Sequence, residues 1–171
     1  SFLYIPGEYD IADQDMAAPW TIDQRSRDDR NFVGAFARDH GGKVPARLVS
    51  SAKSWLCNKS VDTRARILPW GAGEEVFKVS PVQASATYLK HIRKAWNVAM
   101  EDEEESYLEN QMVVVTVPAS FDEVARDMTL EAARMAGLPN VILLEEPLAA
   151  FYSWLIRHEK DWPNHVSTNQ L

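Results

Sequence analysis

Residues 112–156 carry two apolar runs separated by a helical pattern, and few architectures accommodate that order. The first run, residues 112–117, has Val at 113, 114, 115 and 117 around a single Thr116. A nearly unbroken β-branched run of this kind suits a strand of a parallel sheet covered on both faces. Pro118 cannot donate to a ladder, so the strand stops there. Ser120 with Glu123 three residues later matches a capping box, which predicts a helix from about Phe121. Phe121, Val124, Met128, Ala132 and Met135 then recur at spacings of three and four as one apolar stripe, with most charges elsewhere. Gly137 suits the left-handed position after a helix and Pro139 bars continuation, so a second strand is expected from Val141. Strand, helix and strand make a βαβ unit with a right-handed crossover, and the fold class is α/β.

Upstream the signals are shorter. Residues 1–5 read as a strand that starts without a turn or cap, as in a piece of a longer chain, and that ends at Pro6 and Gly7. Residues 8–31 are acidic and mixed, with Trp20 and Ile22 the one hint of another strand. Asn31 is a candidate cap for a helix through Ala37 that stops at Gly41 and Gly42, and Ser50 for a second through Trp55 and Leu56 that carries Lys53. Residues 58–79 are rich in turn formers, although 75–79 alternate as a strand would. Ser80, Pro81 and Gln83 then open a long helix with a second capping box. Its expected stripe is Val82, Ala86, Leu89, Ile92 or Arg93, Trp96, and Ala99 or Met100. The organisation that follows is 1–100 ending in that helix, an acidic connection 101–111, a βαβα portion 112–158 and a polar tail 159–171. Leu148, Phe151, Tyr152, Leu155 and Ile156 share one face of the last helix, with Glu145 and Glu146 near its positive N-terminal end.

Composition closes off several functions. No run approaches the ~20 apolar residues of a membrane span, and no basic, apolar leader stands at the start, so a cytoplasmic location is expected. One cysteine, Cys57, excludes an internal disulfide or a CxxC motif. A net charge of −7 argues against nonspecific nucleic-acid binding. Residues 43–66 nevertheless hold six Lys and Arg against Asp62 alone, a patch that suits phosphates. The acids at 101–105 lack the spaced ligands and turn glycine of a calcium loop and read as a solvated connection. His40, His91, His158 and His165 lack ligand spacing to Cys or to one another, so no metal site is expected. The tryptophans read as core. Neither common glycine-rich phosphate loop occurs.

The run Thr-Val-Pro-Ala-Ser-Phe at 116–121, Arg126, Ala-Gly-Leu at 136–138 and Glu-Pro-Leu-Ala-Ala at 146–150 resemble, in order and spacing, the nucleotide-binding domain of the seventy-kilodalton heat-shock proteins, the DnaK-type chaperones. Phe-Val-Gly-Ala at 32–35 and residues 49–56 are more weakly similar to the segments that precede that unit. The departures mark a divergent member: the family has an aromatic where Ser120 stands, Gln where Ala125 stands and Thr where Leu148 stands. The resemblance implies part of an actin-like ATPase domain, the outer subdomain of the first lobe with a βαβ portion of its inner subdomain.

Phosphoryl transfer needs cations and metal at the phosphates and a group that orients the attacking water. The resemblance gives Lys53 the role of the lysine near the γ-phosphate and Glu146 that of the glutamate that positions metal-bound water. It makes Pro118 and Arg126 interdomain relay positions. ATP and Mg2+ are implied cofactors of the intact protein, and unfolded polypeptide, held by a separate domain, its client. The family's phosphate-binding turns are expected to lie outside residues 1–171, so the chain alone is expected not to hydrolyse ATP. A J-domain partner is implied too, with altered contacts: where the family has a basic residue, Asn and Thr, this chain has Ile142, Glu145 and Leu148. A sister actin-like ATPase such as a small-molecule kinase, and a nonenzymatic interaction module of the same fold, are the alternatives.

Overall fold

The computed structural model describes residues 1–7, 31–101, 103–162 and 165. The possible strand at Trp20 and Ile22 lies outside them. Strand β1 (Phe2–Tyr4) is the centre of a small antiparallel sheet, flanked by β2 (Phe32–Val33) and β3 (Leu48–Ser50). Leu3 faces Val33 on one side and Val49 on the other, and Tyr4 faces Phe32 and Leu48. Leu3 and Tyr4 are fully buried, which is why this short apolar run holds the sheet together.

Helix α1 (Ala35–Gly41) packs on the sheet, chiefly on its central strand, through a chain of rings: Phe32 on Phe36, Phe36 stacked on His40 at 5.3 Å, and His40 edge-on to Tyr4 at 4.9 Å. His40 is thereby a packing residue. Asn31 does not cap this helix. The N-cap is Gly34, without a side-chain bond, because Phe32 and Val33 are drawn into pairing with β1 and the chain must turn sharply afterwards. Gly34 has φ of 89°, a conformation open to glycine, and its N–H bonds to the Phe2 carbonyl.

Ser50 likewise is no cap, since it pairs with Phe2 as the last residue of β3. The cap of helix α2 (Ala52–Trp55) is Ser51, left-handed at φ 56° and without a side-chain bond. The strand expected at 75–79 reduces to one antiparallel bridge between Leu68 and Val79. Pro69 follows Leu68 immediately and has no N–H, so the ladder cannot extend.

Helix α3 (Pro81–Ala99) begins as expected: the Ser80 hydroxyl accepts from Gln83 N–H at 3.1 Å, and the Gln83 side chain accepts from Ser80 N–H at 2.9 Å. The helix serves two cores. Ala84 and Tyr88 join Leu3, Ile5, Val49 and Leu68, while Val82 and Ala86 join Leu56, Val117, Phe121 and Met128. Farther along, the expected stripe departs: Ile92 and Trp96 are exposed, and the Trp96 indole donates to the Ser106 carbonyl at 2.9 Å in the turns after the acidic run. Asn97 binds Glu109 and the Leu108 N–H in the same way, so the 101–111 connection is strapped to the helix end. Trp70 is also mostly exposed, against the expectation that the tryptophans are core.

Strands β4 (Val113–Val117) and β5 (Val141–Glu145) pair in parallel, Val113 opposite Val141 through Val117 opposite Glu145, around helix α4 (Glu123–Met135). The helix starts later than the capping box predicts. Phe121 N–H bonds back to the Pro118 carbonyl and its ring is buried, which carries the chain through a turn past Ser120. Asp122 is the N-cap and accepts from Ala125 N–H at 3.0 Å. The buried face is also rotated. Ala125, Met128, Ala132 and Ala133 are buried while Val124 and Met135 are exposed, because small side chains allow α3 and α4 to pack closely. The helix ends as expected, with Gly137 at φ 78° and a Schellman pair, Leu138 N–H to Ala133 and Gly137 N–H to Arg134.

The β4–β5 ribbon is not covered on both faces among the described residues. Val114 and Ile142, paired in register, are 53% and 52% exposed, whereas Val117 and Leu143 on the other face join the α3–α4 core. Helix α5 (Glu146–Arg157) follows β5 without a loop and buries none of its residues fully, leaving Leu148, Phe151, Tyr152 and Ile156 exposed. Met112, Val114, Ile142 and this helix form an apolar surface larger than scattered exposure accounts for.

Candidate functional site

Lys53 reaches its place through three local constraints. Ser50 is held in the sheet, Ser51 turns left-handed, and Ala52 is fully buried, so the next side chain emerges toward the second half of the molecule. There its ammonium donates to the Thr116 carbonyl at 3.1 Å and forms an ion pair with the Glu146 carboxylate. Glu146 is delivered by β5 as the first residue of α5. The two side chains are 42% and 47% exposed, so the pair is wet and contributes little to stability by itself.

Its location is informative. Thr116 and Glu145 are the last or penultimate residues of adjacent parallel strands, and the carboxyl ends of such strands are where open α/β sheets gather ligands. A cation and a carboxylate held there can neutralise a phosphate oxygen and orient a water. In this structure each of the two faces the other.

Arg126 lies on α4, and its guanidinium sits 3.5 Å from the Glu145 carboxylate. The adjacent acids Glu145 and Glu146 therefore face different cations, Arg126 and Lys53. Pro118 follows β4 directly and its carbonyl closes the turn to Phe121. The positions Ile142, Glu145 and Leu148 do not make one surface. Strand alternation puts Ile142 on the open face with Val114 and Glu145 on the face toward α4.

Three of the six bases in 43–66 pair with protein carboxylates. Besides Lys53, Lys59 lies 3.3 Å from Asp122 and Arg64 bonds Glu131 at 2.7 Å, while Arg66 stands over the Phe77 ring. Buried Thr63 completes the seam by donating to the Met128 sulfur. These cations clamp the 53–64 segment onto α4 and α5 instead of forming a free phosphate patch. The Ala125 N–H first, and Lys59 second, hold the Asp122 carboxyl below its ordinary value. The sequence signal for this seam was the excess of base at 43–66 against the acids of α4. The Thr116 carbonyl had no signal, because a backbone acceptor is identified only by what folds against it. Among the described residues no helix is long and apolar enough to cross a membrane.

A family model described as Hsp70 protein matches residues 22–166. The chaperone protein HscA of Salmonella paratyphi C (strain RKS4594) is 35% identical over 124 residues, covering 69% of this chain and 20% of that protein. HscA of Edwardsiella ictaluri (strain 93-146) is 36% identical over 132 residues, covering 70% and 20%. The chain spans about a fifth of the length of these curated relatives.

Proposed function

This chain belongs to the Hsp70 family, and on that premise we propose that it is part of the ATP-binding and ATP-hydrolysing domain of a DnaK-type chaperone. The observation that carries the reading is the meeting of Lys53 and Glu146. They are 93 positions apart, yet both fall on the Thr116 end of the parallel pair, and their motif resembles that of the family's catalytic lysine and glutamate. In the intact protein Lys53 faces the terminal phosphate of ATP and Glu146 the water of its Mg2+. Arg126, one carboxylate away through Glu145, and Pro118, at the end of β4, are positioned to report occupancy toward a client-binding domain. The open apolar face of β4, β5 and α5 is read as the contact with the rest of the nucleotide-binding domain. The clients are unfolded polypeptides, and the compartment is the cytoplasm.

The 171-residue chain alone supplies one cation and one carboxylate of the site, so it is inactive. Metal-dependent hydrolysis by the purified chain above a buffer blank refutes this. In the intact protein, Lys53→Ala and Glu146→Ala each depress single-turnover hydrolysis by roughly tenfold or more. Rates equal to the parent's remove both residues from the site.

A J-domain partner of the usual kind is expected to stimulate weakly. Ile142 offers no charge-assisted contact, and Glu145 is already engaged by Arg126. A large stimulation of steady-state turnover by a generic J-domain overturns that expectation without touching the Lys53–Glu146 assignment.

A further inference from the structure

Spacing to cysteine or to another histidine excluded the four histidines as ligands, but the fold gathers two of them around a carboxylate. His158 closes α5, its N–H bonded to the Trp154 carbonyl. Asp161 and Trp162 N–H bond the His158 carbonyl at 3.0 and 2.8 Å, and His165 N–H bonds the Trp162 carbonyl at 3.0 Å. One ligand-capable atom each of His158, Asp161 and His165 then lies within 4.8 Å of the others. His165 Nε2 and Asp161 Oδ2 are 3.0 Å apart.

The His158 ring is oriented before any ligand arrives. Its Nδ1 is 2.9 Å from the Trp154 carbonyl oxygen. A carbonyl only accepts, so Nδ1 carries the proton and the lone pair of the neutral ring is on Nε2. A backbone carbonyl fixing the other nitrogen is the usual support for a metal-ligating imidazole. Trp154 stacks on the ring at 4.8 Å, and His165 meets it edge-on at 4.9 Å, which restricts its rotation.

We infer that His158, Asp161 and His165 form a binding site for a divalent transition metal, zinc being the ion whose chemistry fits. Two imidazole nitrogens and a carboxylate oxygen, each about 2.0–2.2 Å from the ion, are an ordinary zinc donor set. Donors at that radius around a tetrahedral centre stand roughly 3.3 Å apart. On binding, the ion would replace the hydrogen bond between His165 and Asp161. Calcium and magnesium, which require shells of oxygen donors, do not suit two imidazoles. Three protein donors leave one coordination position for water or a donor from another molecule. The site shares no residue with the Lys53–Glu146 pair and stands independently of it.

The test is titration of the untagged 171-residue chain with zinc chloride against a chromophoric chelator, with cobalt chloride as a spectroscopic substitute. One equivalent is expected, with the intense visible bands of tetrahedral cobalt. Asp161→Asn and His165→Ala are each expected to weaken zinc binding by at least about tenfold. Both side chains are about half exposed, so unchanged far-UV circular dichroism is expected of the variants. His91→Gln and Cys57→Ser are expected to bind as the parent does. Absence of saturable binding, binding indifferent to the Asp161 and His165 variants, or binding lost with Cys57→Ser overturns the assignment.

Discussion

Gly137→Ala tests how the α4–β5 corner is held, and through it how Glu145 and Glu146 are aimed. Gly137 adopts φ of 78°, and a Cβ there would stand 1.8 Å from an Arg93 guanidinium nitrogen, which donates to the Gly137 carbonyl at 3.3 Å. Two costs therefore combine. A left-handed alanine costs about 1–2 kcal/mol, offset by about 0.4–1 kcal/mol from the stiffer unfolded chain. Displacing Arg93 forfeits a hydrogen bond from a charged donor, about 1.5 kcal/mol at the lower end of the usual range because the contact is long and partly solvated. The sum is about 2–3 kcal/mol. Gly71 is the control, since it has φ of 75° and nothing within 4 Å of a built Cβ. Gly71→Ala should cost only the conformational part, about 1 kcal/mol. Urea denaturation of the parent, both glycine variants, Arg93→Ala and the Arg93→Ala/Gly137→Ala pair supplies the comparison. In the Arg93→Ala background the Gly137→Ala cost should fall to that of Gly71→Ala. Equal costs for the two glycine variants in the parent background would refute the steric argument.

Ser80→Ala removes half of a reciprocal capping box and should cost about 1 kcal/mol, read from urea midpoints, more than the same change at exposed Ser120, which caps nothing. The Asp122 carboxyl is held low in the folded state, so its contribution is present above the unfolded value and is lost as pH falls through the depressed one. Asp122→Asn keeps a capping oxygen without titrating, and its deficit relative to the parent at pH 7 should shrink by pH 3. Ser51 at φ 56° predicts that Ser51→Gly is close to neutral while Ser51→Val costs about 1–2 kcal/mol, checked by thermal melts. A double-mutant cycle on Lys53 and Glu146 should return a stability coupling below about 1 kcal/mol, because both groups are half in water. A larger coupling would make the pair a structural bond first.

Local chemistry was legible wherever it was self-contained. Ser80 with Gln83, Gly137 followed by Pro139, and the Pro118 stop act within a few residues, and each appears in the fold as the sequence implies. Lys53 and Glu146 were recognisable as residues through the family's motif, but their meeting was not. Ser120, Asn31 and Ser50 show where local reading fails. Each has the side chain of a cap, and each is overruled by a competing partner: the buried Phe121 ring, the edge of β1, and the pairing with Phe2.

The sequence by itself determined the α/β class, the parallel βαβ unit, the start of α3 and the end of α4, because hydrophobic periodicity and turn chemistry are properties of neighbouring residues. Only the tertiary structure decided which face of α4 is buried and that the bases at 53–64 clamp onto acids 60 or more positions away. Small alanines outbid larger Val124 and Met135 because helix packing rewards close approach, which no count of apolar residues contains. Ion pairs and ligand clusters depend on distances between elements, and a chain specifies those only once its cores have closed.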